Sequence, residues 1–244
     1  MSTPAAPEIS APALNEGQRL LYTFIEPSKT MADLRRNTSW WVPWLLMAVF
    51  SLGFAYTLDK KIGWGQVVES QIQANPKTAE KIEKMPADQR EKMMNLQVSI
   101  SRSVGYASPV MSLIFIAIVA AVLLGLFNFG FGAKLTFRQT MGITAYGMLP
   151  GMLNTILITV LMFFVEPENF DIKNPVATNI GYFVPSSMTF LKSLLGAFDI
   201  FVLWQIFLFA IGISLLSKVK KGTAFAAIFT FYFLLKLAGA GFSS

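Results

Sequence analysis

The chain has 244 residues, of which 54% are hydrophobic and 14% charged, with a mean hydropathy of +0.53; an ordinary soluble domain carries roughly 25% charged residues. Cysteine and histidine are both absent, which removes disulfides, thiolate nucleophiles, imidazole bases and the usual zinc, copper and haem ligands, so no metal or cofactor is expected. The net charge of +6 does not point to nucleic acid, because the Lys and Arg residues flank apolar runs in the way that membrane-topology signals do.

Residues 1–39 read as a polar tail. Met1 to Ala13 is rich in Pro, Ala and Ser, with neither a basic start nor an apolar core, and is expected to be a disordered tail rather than a signal peptide. Leu20, Leu21, Phe24 and Ile25 fall on one side of a helix and Glu16, Gln18 and Arg19 elsewhere. That pattern predicts a short interfacial amphipathic helix ended at Pro27. Ser28 is placed to cap a further turn of helix ending at Arg35-Arg36.

Residues 40–58 carry no charge and open on Trp40, Trp41 and Trp44, whose amphipathic rings suit the headgroup level, so a first spanning helix is expected there. Pro43 lies in its first turn, where a missing N–H costs little. Residues 59–103 are the one long polar stretch, with nearly balanced charge. Pro76 and Pro86 stand where helices would begin, and Met93, Leu96, Ile100 and Val104 recur at helical spacing. An extramembrane helical hairpin is predicted, its second arm running toward the next span. It either packs on the membrane domain or receives a protein partner.

Residues 104–133 form a second uncharged run, longer than the ~20 residues of a perpendicular span, with Tyr106 to Pro109 expected at the interface or tilted in. Ala117, Ala121 and Gly125 make a small-residue seam suited to close approach of another helix. After the basic loop Lys134 to Arg138, residues 140–165 are the third span. There Pro150 frees the Tyr146 carbonyl, and Gly147 and Gly151 stand one turn apart, so a kink is predicted. The Tyr146 phenol, or Asn154 one turn on, is expected to satisfy the freed backbone groups. An acidic loop over 166–191 leads into a closing hairpin, with a fourth span at 192–216, a basic turn, and a fifth at 223–241. The expected fold is all-α: a multi-pass bundle of five transmembrane helices with a helical insert between the first two.

The short loops place Arg19, Lys29, Arg35, Arg36, Lys134, Arg138, Lys218, Lys220 and Lys221 on one side, against Lys173 and Lys192 on the other. The positive-inside rule then puts the amino terminus in the cytoplasm and the carboxyl terminus outside, with Lys60 and Lys61 as the opposing signal.

Three stretches carry a family resemblance. Phe24-Ile25-Glu26-Pro27 runs through Arg35-Arg36 to Trp40-Trp41-Val42-Pro43; Thr136-Phe137-Arg138-Gln139 leads to Ala145-Tyr146 and Leu149-Pro150; and Asp199 to Trp204 is followed by Leu208 to Gly212 and Ser217-Lys218-Val219. Together they resemble the Yip (Ypt/Rab-interacting-protein) domain family in its bacterial form, over residues 40–241 as the membrane domain. The resemblance implies a multi-pass protein of a bacterial cytoplasmic membrane and makes Tyr146, Pro150, Trp204 and Gly212 family-like positions. Eukaryotic relatives engage Rab-type GTPases in vesicle traffic. Nothing in this chain indicates such a GTPase, and that activity is not carried over.

The candidate polar residues within the apolar runs are Asp199, Lys236, Gln205, Asn154 and Asn128. An ionisable residue in a span is a functional candidate because burying a bare charge in hydrocarbon costs at least ~2.5 kcal/mol. Asp199 and Lys236 either pair, reach separately for the interface, or lie on a proton or ion path. Gln205 and Asn128 suit interhelical hydrogen bonding. The reading favoured by the sequence is a non-enzymatic membrane scaffold or adaptor whose partners, beyond the bilayer, meet residues 59–103 and 1–39. The alternative is a small-solute or ion transporter component with a polar path through the last three spans. No Gly-x-Ser-x-Gly, paired-carboxylate site or nucleotide-binding glycine loop supports an enzyme, and no catalytic residue is assigned.

Overall fold

A computed structural model of the chain describes residues 12–73, 76–170, 175–185 and 187–242. Residues 1–11 of the tail expected over Met1 to Ala13 lie outside the described residues, as do Asn75 and Lys173. Helix follows helix in the order α1 (Glu16–Ile25), α2 (Pro27–Asp33), α3 (Trp41–Lys61), α4 (Trp64–Gln73), α5 (Pro76–Glu83), α6 (Ala87–Tyr106), α7 (Ser108–Phe131), α8 (Phe137–Gly147), α9 (Leu149–Leu161), α10 (Thr189–Leu195), α11 (Ile200–Leu216) and α12 (Lys221–Phe242).

Among the described residues four helical stretches are long and apolar enough to cross a membrane: Trp41–Lys61, Ser108–Phe131, Phe137–Leu161 (α8 and α9 together) and Lys221–Gly241. The fifth apolar helix, α11, has 17 residues. Around the bundle, large apolar side chains such as Val49, Phe115, Phe129, Phe164 and Leu234 point outward. In water such a surface would drive aggregation, whereas against lipid tails it costs nothing.

Local chemistry sets the helix ends. Gly132 terminates α7 at φ 63°, a left-handed conformation that a side chain would strain. Asn128 then clamps the connection, its amide donating to the Leu135 carbonyl at 2.9 Å and its side-chain oxygen accepting from the Leu135 N–H at 3.0 Å. Thr136 and Gln139 form a capping box that starts α8. The break foreseen at Pro150 falls at Met148, between α8 and α9, with Pro150 in the first turn of the new helix.

The core is built where α8 and α9 run antiparallel to α11. A Cβ on Gly147 would lie 2.4 Å from the Phe209 ring, one on Gly151 2.7 Å from Gln205 Nε2, and one on Gly212 2.7 Å from Ile143. The missing side chains are therefore what lets the helices approach. Leu208, Phe209, Ala210, Ile211 and Ile213 are all buried, so α11 is enclosed near its middle.

Three expectations need correction. The run 192–216 is not one helix: α10 stops at Leu195 and α11 begins at Ile200, because Asp199 caps the second helix instead of lying within it. The insert is not a simple hairpin but α4, α5 and α6, with α6 leading into α7 through a single intervening residue, Ala107. Of the small-residue seam on α7 only the Ala117 end packs on the bundle, beside Met141 and Ala145 of α8. Gly125 has open space where a Cβ would stand, Ala121 is exposed, and the buried face is instead Ile116, Ala120, Leu123 and Phe127.

Replacing Gly212 by Val would drive a branched side chain into Ile143 and the Met31 sulfur, 3.1 Å from the ideal Cβ. Overpacking of this kind costs about 1–3 kcal/mol. Thermal unfolding of the detergent-purified protein should show a lowered Tm for Gly212→Val and none for Gly125→Val; equal effects would contradict the packing described.

Candidate functional site

The polar chemistry of the bundle gathers where the amino-terminal helices dock on it. Asn15 caps α1 in a capping box with Gln18, and Pro27 opens α2 after a sharp turn at Glu26. The two short helices fold back on each other, and their shared interior is polar. Arg19, 1% exposed, donates from Nε and Nη2 to Asp33 Oδ2 at 2.8 and 2.5 Å. Its carbonyl accepts from the hydroxyls of Thr23 at 2.7 Å and Thr30 at 2.8 Å, so α2 is tied to α1 through backbone as well as charge. Burial works against the guanidinium's charge, yet Asp33 and the neighbouring Tyr146 together outweigh it and hold the group above its ordinary pKa.

This hairpin and the turn that follows it are bolted to the bundle by two polar contacts and an apolar seam. Glu16 accepts the Tyr146 hydroxyl at 2.7 Å while its other oxygen lies 3.5 Å from Arg19 Nη1. Met31 and Leu34 are fully buried, the first against Gly212 and the second against Gly142. The Arg35 guanidinium donates to the Leu215 carbonyl, one of the free acceptors at the end of α11. Phe24 meets Trp204 edge-on with ring centroids 5.9 Å apart. From Trp204 to Leu215 the hairpin accompanies α11 over roughly 16 Å at ~1.5 Å per residue.

The amphipathic reading of α1 therefore needs correction. Leu20 and Phe24 pack on the core, but Leu21 and Ile25 are 57% and 64% exposed, while Arg19 and Thr23 are the buried residues of the helix. Ser28 caps nothing, since Pro27 already starts α2. Tyr146 does not satisfy the backbone freed by Pro150, because its hydroxyl is committed to Glu16.

The remaining candidates sit apart from this network. Asp199 accepts from the N–H groups of Phe201 and Val202 at 2.9 and 3.2 Å and from the Thr178 hydroxyl at 2.5 Å. An N-cap carboxylate so placed satisfies orphan donors and meets the positive end of the helix dipole. Lys236 is exposed, with Nζ 5.7 Å from the Tyr232 ring centroid, and no ion pair joins it to Asp199. The two are nonetheless neighbours in the fold, for the Tyr232 hydroxyl donates to the Ala197 carbonyl at 3.3 Å. Gln205 lies against Gly151, and the Asn154 side-chain oxygen is buried without a hydrogen-bond partner. The described residues contain no cluster of three or more acids that would suit a metal ion.

A protein-family model described as Yip1 domain matches residues 21–242. The chain belongs to the Yip1 domain family. Comparison with curated proteins and with solved structures finds no match. The matched region begins inside α1 and ends with α12, so it takes in the second half of α1 and all of α2, while Glu16 and Arg19 precede it.

Residues Arg19, Asp33, Thr30 and Glu16 were missed as a group by sequence reasoning, since charges near an amino terminus ordinarily read as solvated. Removing one member should expose the difference. Arg19→Met or Asp33→Leu alone leaves a buried uncompensated charge and should cost about 3–5 kcal/mol, whereas the double replacement should recover most of that loss. Protease nicking between α2 and α3 reads it out: each single variant should be cut faster, the double variant near the wild-type rate. A second measurement concerns the cap. Asp199→Ala should lower stability by about 0.5–2 kcal/mol, Asp199→Asn by less, and Lys236→Met negligibly; a Lys236→Met loss matching Asp199→Ala would show that the charges are coupled after all.

Proposed function

We propose that this Yip1-family membrane protein is a non-enzymatic scaffold or adaptor, with α11 as the fifth crossing, the amino terminus in the cytoplasm and the bundle in a bacterial cytoplasmic membrane. The observation that carries this reading is the use to which the bundle puts its polar groups. Arg19, Asp33, Glu16 and Tyr146 close on one another, Asp199 caps a helix, and Asn128 holds a turn. None is left presenting a reactive group to a substrate. On this reading the hairpin α1–α2 descends along α11 for about half of the ~30 Å hydrocarbon thickness, with Leu21 and Ile25 toward lipid.

Outside the bundle, α6 supports the adaptor role. No residue of this helix is buried, and Leu96, Ile100 and Val104 form one face at 60%, 53% and 53% exposure. The insert does not consume that face by packing on itself. Photocrosslinkers at positions 96 and 100, with a control at exposed Glu91, should trap a defined protein partner in intact cells from the first two positions only. Crosslinks that are absent, or equal at all three positions, would count against an adaptor.

One observation favours the transporter alternative. Asn154 keeps an unpartnered buried oxygen in α9, one turn beyond the Gly151 position where Gln205 packs. Proteoliposome flux settles between the readings. Solute or ion flux abolished by Asn154→Leu would replace the scaffold by a transporter; flux indistinguishable from empty vesicles agrees with the scaffold.

A further inference from the structure

Beside the docked hairpin, at the end of the bundle where α3 and α8 begin, lies a cavity of about 420 Å³ whose walls include Glu16, Asn37, Ser39, Trp40, Trp41 and Arg138. Its chemistry is two-sided. The Arg138 guanidinium is exposed and makes no ion pair or hydrogen bond among the described residues, although ion pairs elsewhere engage Arg19, Lys29, Lys84 and Arg102. Close by, α3 starts at Trp41 with no side-chain cap, leaving the Trp41 and Val42 N–H groups of its first turn as free donors, since Pro43 has none. The Ser39 hydroxyl is buried and lacks a partner, while its own N–H is taken by Asn37 at 3.0 Å. A cation, free helix donors and an orphan hydroxyl together make a receptor for a phosphate group.

The opposite wall carries a carboxylate. Glu16 uses one oxygen for Tyr146 and the other for a long contact to Arg19, and its side chain remains 33% exposed. Although Glu16 and Arg138 share the cavity, they do not close on each other as an ion pair. A plain anion would meet repulsion from Glu16. A group with phosphate at one end and a primary ammonium at the other satisfies both walls, the ammonium donating to the Glu16 lone pairs that remain.

Apolar surface leads away from the rim. Trp41, Leu45, Val49, Leu52 and Tyr56 are 53%, 46%, 60%, 41% and 59% exposed and recur every three or four residues along one face of α3. That stripe runs from the cavity along a helix long enough to span a membrane. We infer that the cavity is a headgroup site for an amine-bearing phospholipid, of the phosphatidylethanolamine type, whose acyl chains lie on the exposed face of α3. The site does not depend on the adaptor reading.

The test uses the full-length protein purified in detergent, with native mass spectrometry counting retained lipids during titration with phosphatidylethanolamine, phosphatidylcholine or phosphatidylglycerol. Phosphatidylethanolamine should be retained at least about fivefold better than either of the others. Arg138→Gln, which breaks no hydrogen bond or ion pair among the described residues, should weaken its retention about tenfold, the scale of one charge-assisted hydrogen bond. Glu16→Gln keeps an acceptor for Tyr146 and should erase the preference over phosphatidylcholine while leaving phosphatidylcholine retention unchanged. Equal retention of all three lipids, or indifference to Arg138→Gln, overturns the site. Stronger retention of phosphatidylglycerol overturns the role of Glu16. Soluble glycerophosphoethanolamine added at matched concentration should not compete; full competition would make the ligand a free phosphoester and overturn the lipid assignment.

Discussion

An arginine taken out of water has one tolerable state, charged and fully hydrogen-bonded, and the arrangement of the amino-terminal hairpin follows from meeting that demand at Arg19. The guanidinium has Asp33 as its partner, and Asp33 lies at the end of the next helix, so the pair can form only if α1 and α2 fold back on each other. Breaking it leaves a lone buried charge, which is why a marginal pair of short helices holds one geometry. With 10 and 7 residues, both helices fall below the ~12–15 residues under which an isolated helix is marginal in water. Their stability must come from docking, and the docking surfaces are specific: Met31 over Gly212, Leu34 over Gly142, and Glu16 on Tyr146.

The same demand reaches the bundle through α11. Gly212 admits Met31 from one side and Ile143 from the other, so a single missing side chain lets α2 and α8 converge on the same helix. One turn nearer its start, Phe209 occupies the space above Gly147. Helix α11 thus serves as the axis on which the hairpin and the broken helix α8–α9 are mounted. Both its ends are capped, by Asp199 at the start and at the finish by Arg35 on the Leu215 carbonyl and by Ser217, whose hydroxyl donates to the Ile213 carbonyl at 2.6 Å. A helix closed off at each end and enclosed in the middle can be shorter than its lipid-facing neighbours.

Much of this was legible in the sequence, and what was not has identifiable causes. Long apolar runs announced the helices of 41–61, 108–131 and 221–241, and the Gly147 to Gly151 spacing around Pro150 announced the break in α8–α9, since these signals are local. Periodicity also found an apolar face on α1 but could not say which face turns inward. In water the apolar side is buried; beside lipid the preference is weakened, and here Arg19 and Thr23 are inside while Leu21 and Ile25 are out. The Arg19–Asp33 pair spans two helices, so no helical period links its members. Asp199 is different, because a signal was available: an aspartate standing directly before Ile200-Phe201-Val202, three residues after Gly196, is the pattern of a helix stop and a fresh N-cap. Treating the apolar run as unbroken hid it.

Glu16 joins the two halves of this picture. Its carboxylate holds Tyr146 of α8, touches Arg19 inside the hairpin, and faces the cavity shared with Arg138 and the start of α3. A ligand that engages Glu16 in this geometry binds the docked hairpin and has no equivalent partner once the hairpin leaves. Linkage then requires that occupancy stabilise docking by RT ln(1 + [L]/Kd), about 2.7 kcal/mol at a hundredfold excess over Kd. The hairpin and the cavity are therefore coupled sites on one element, with the buried ion pair supplying the resting geometry and the cavity supplying its dependence on what the surrounding membrane contains.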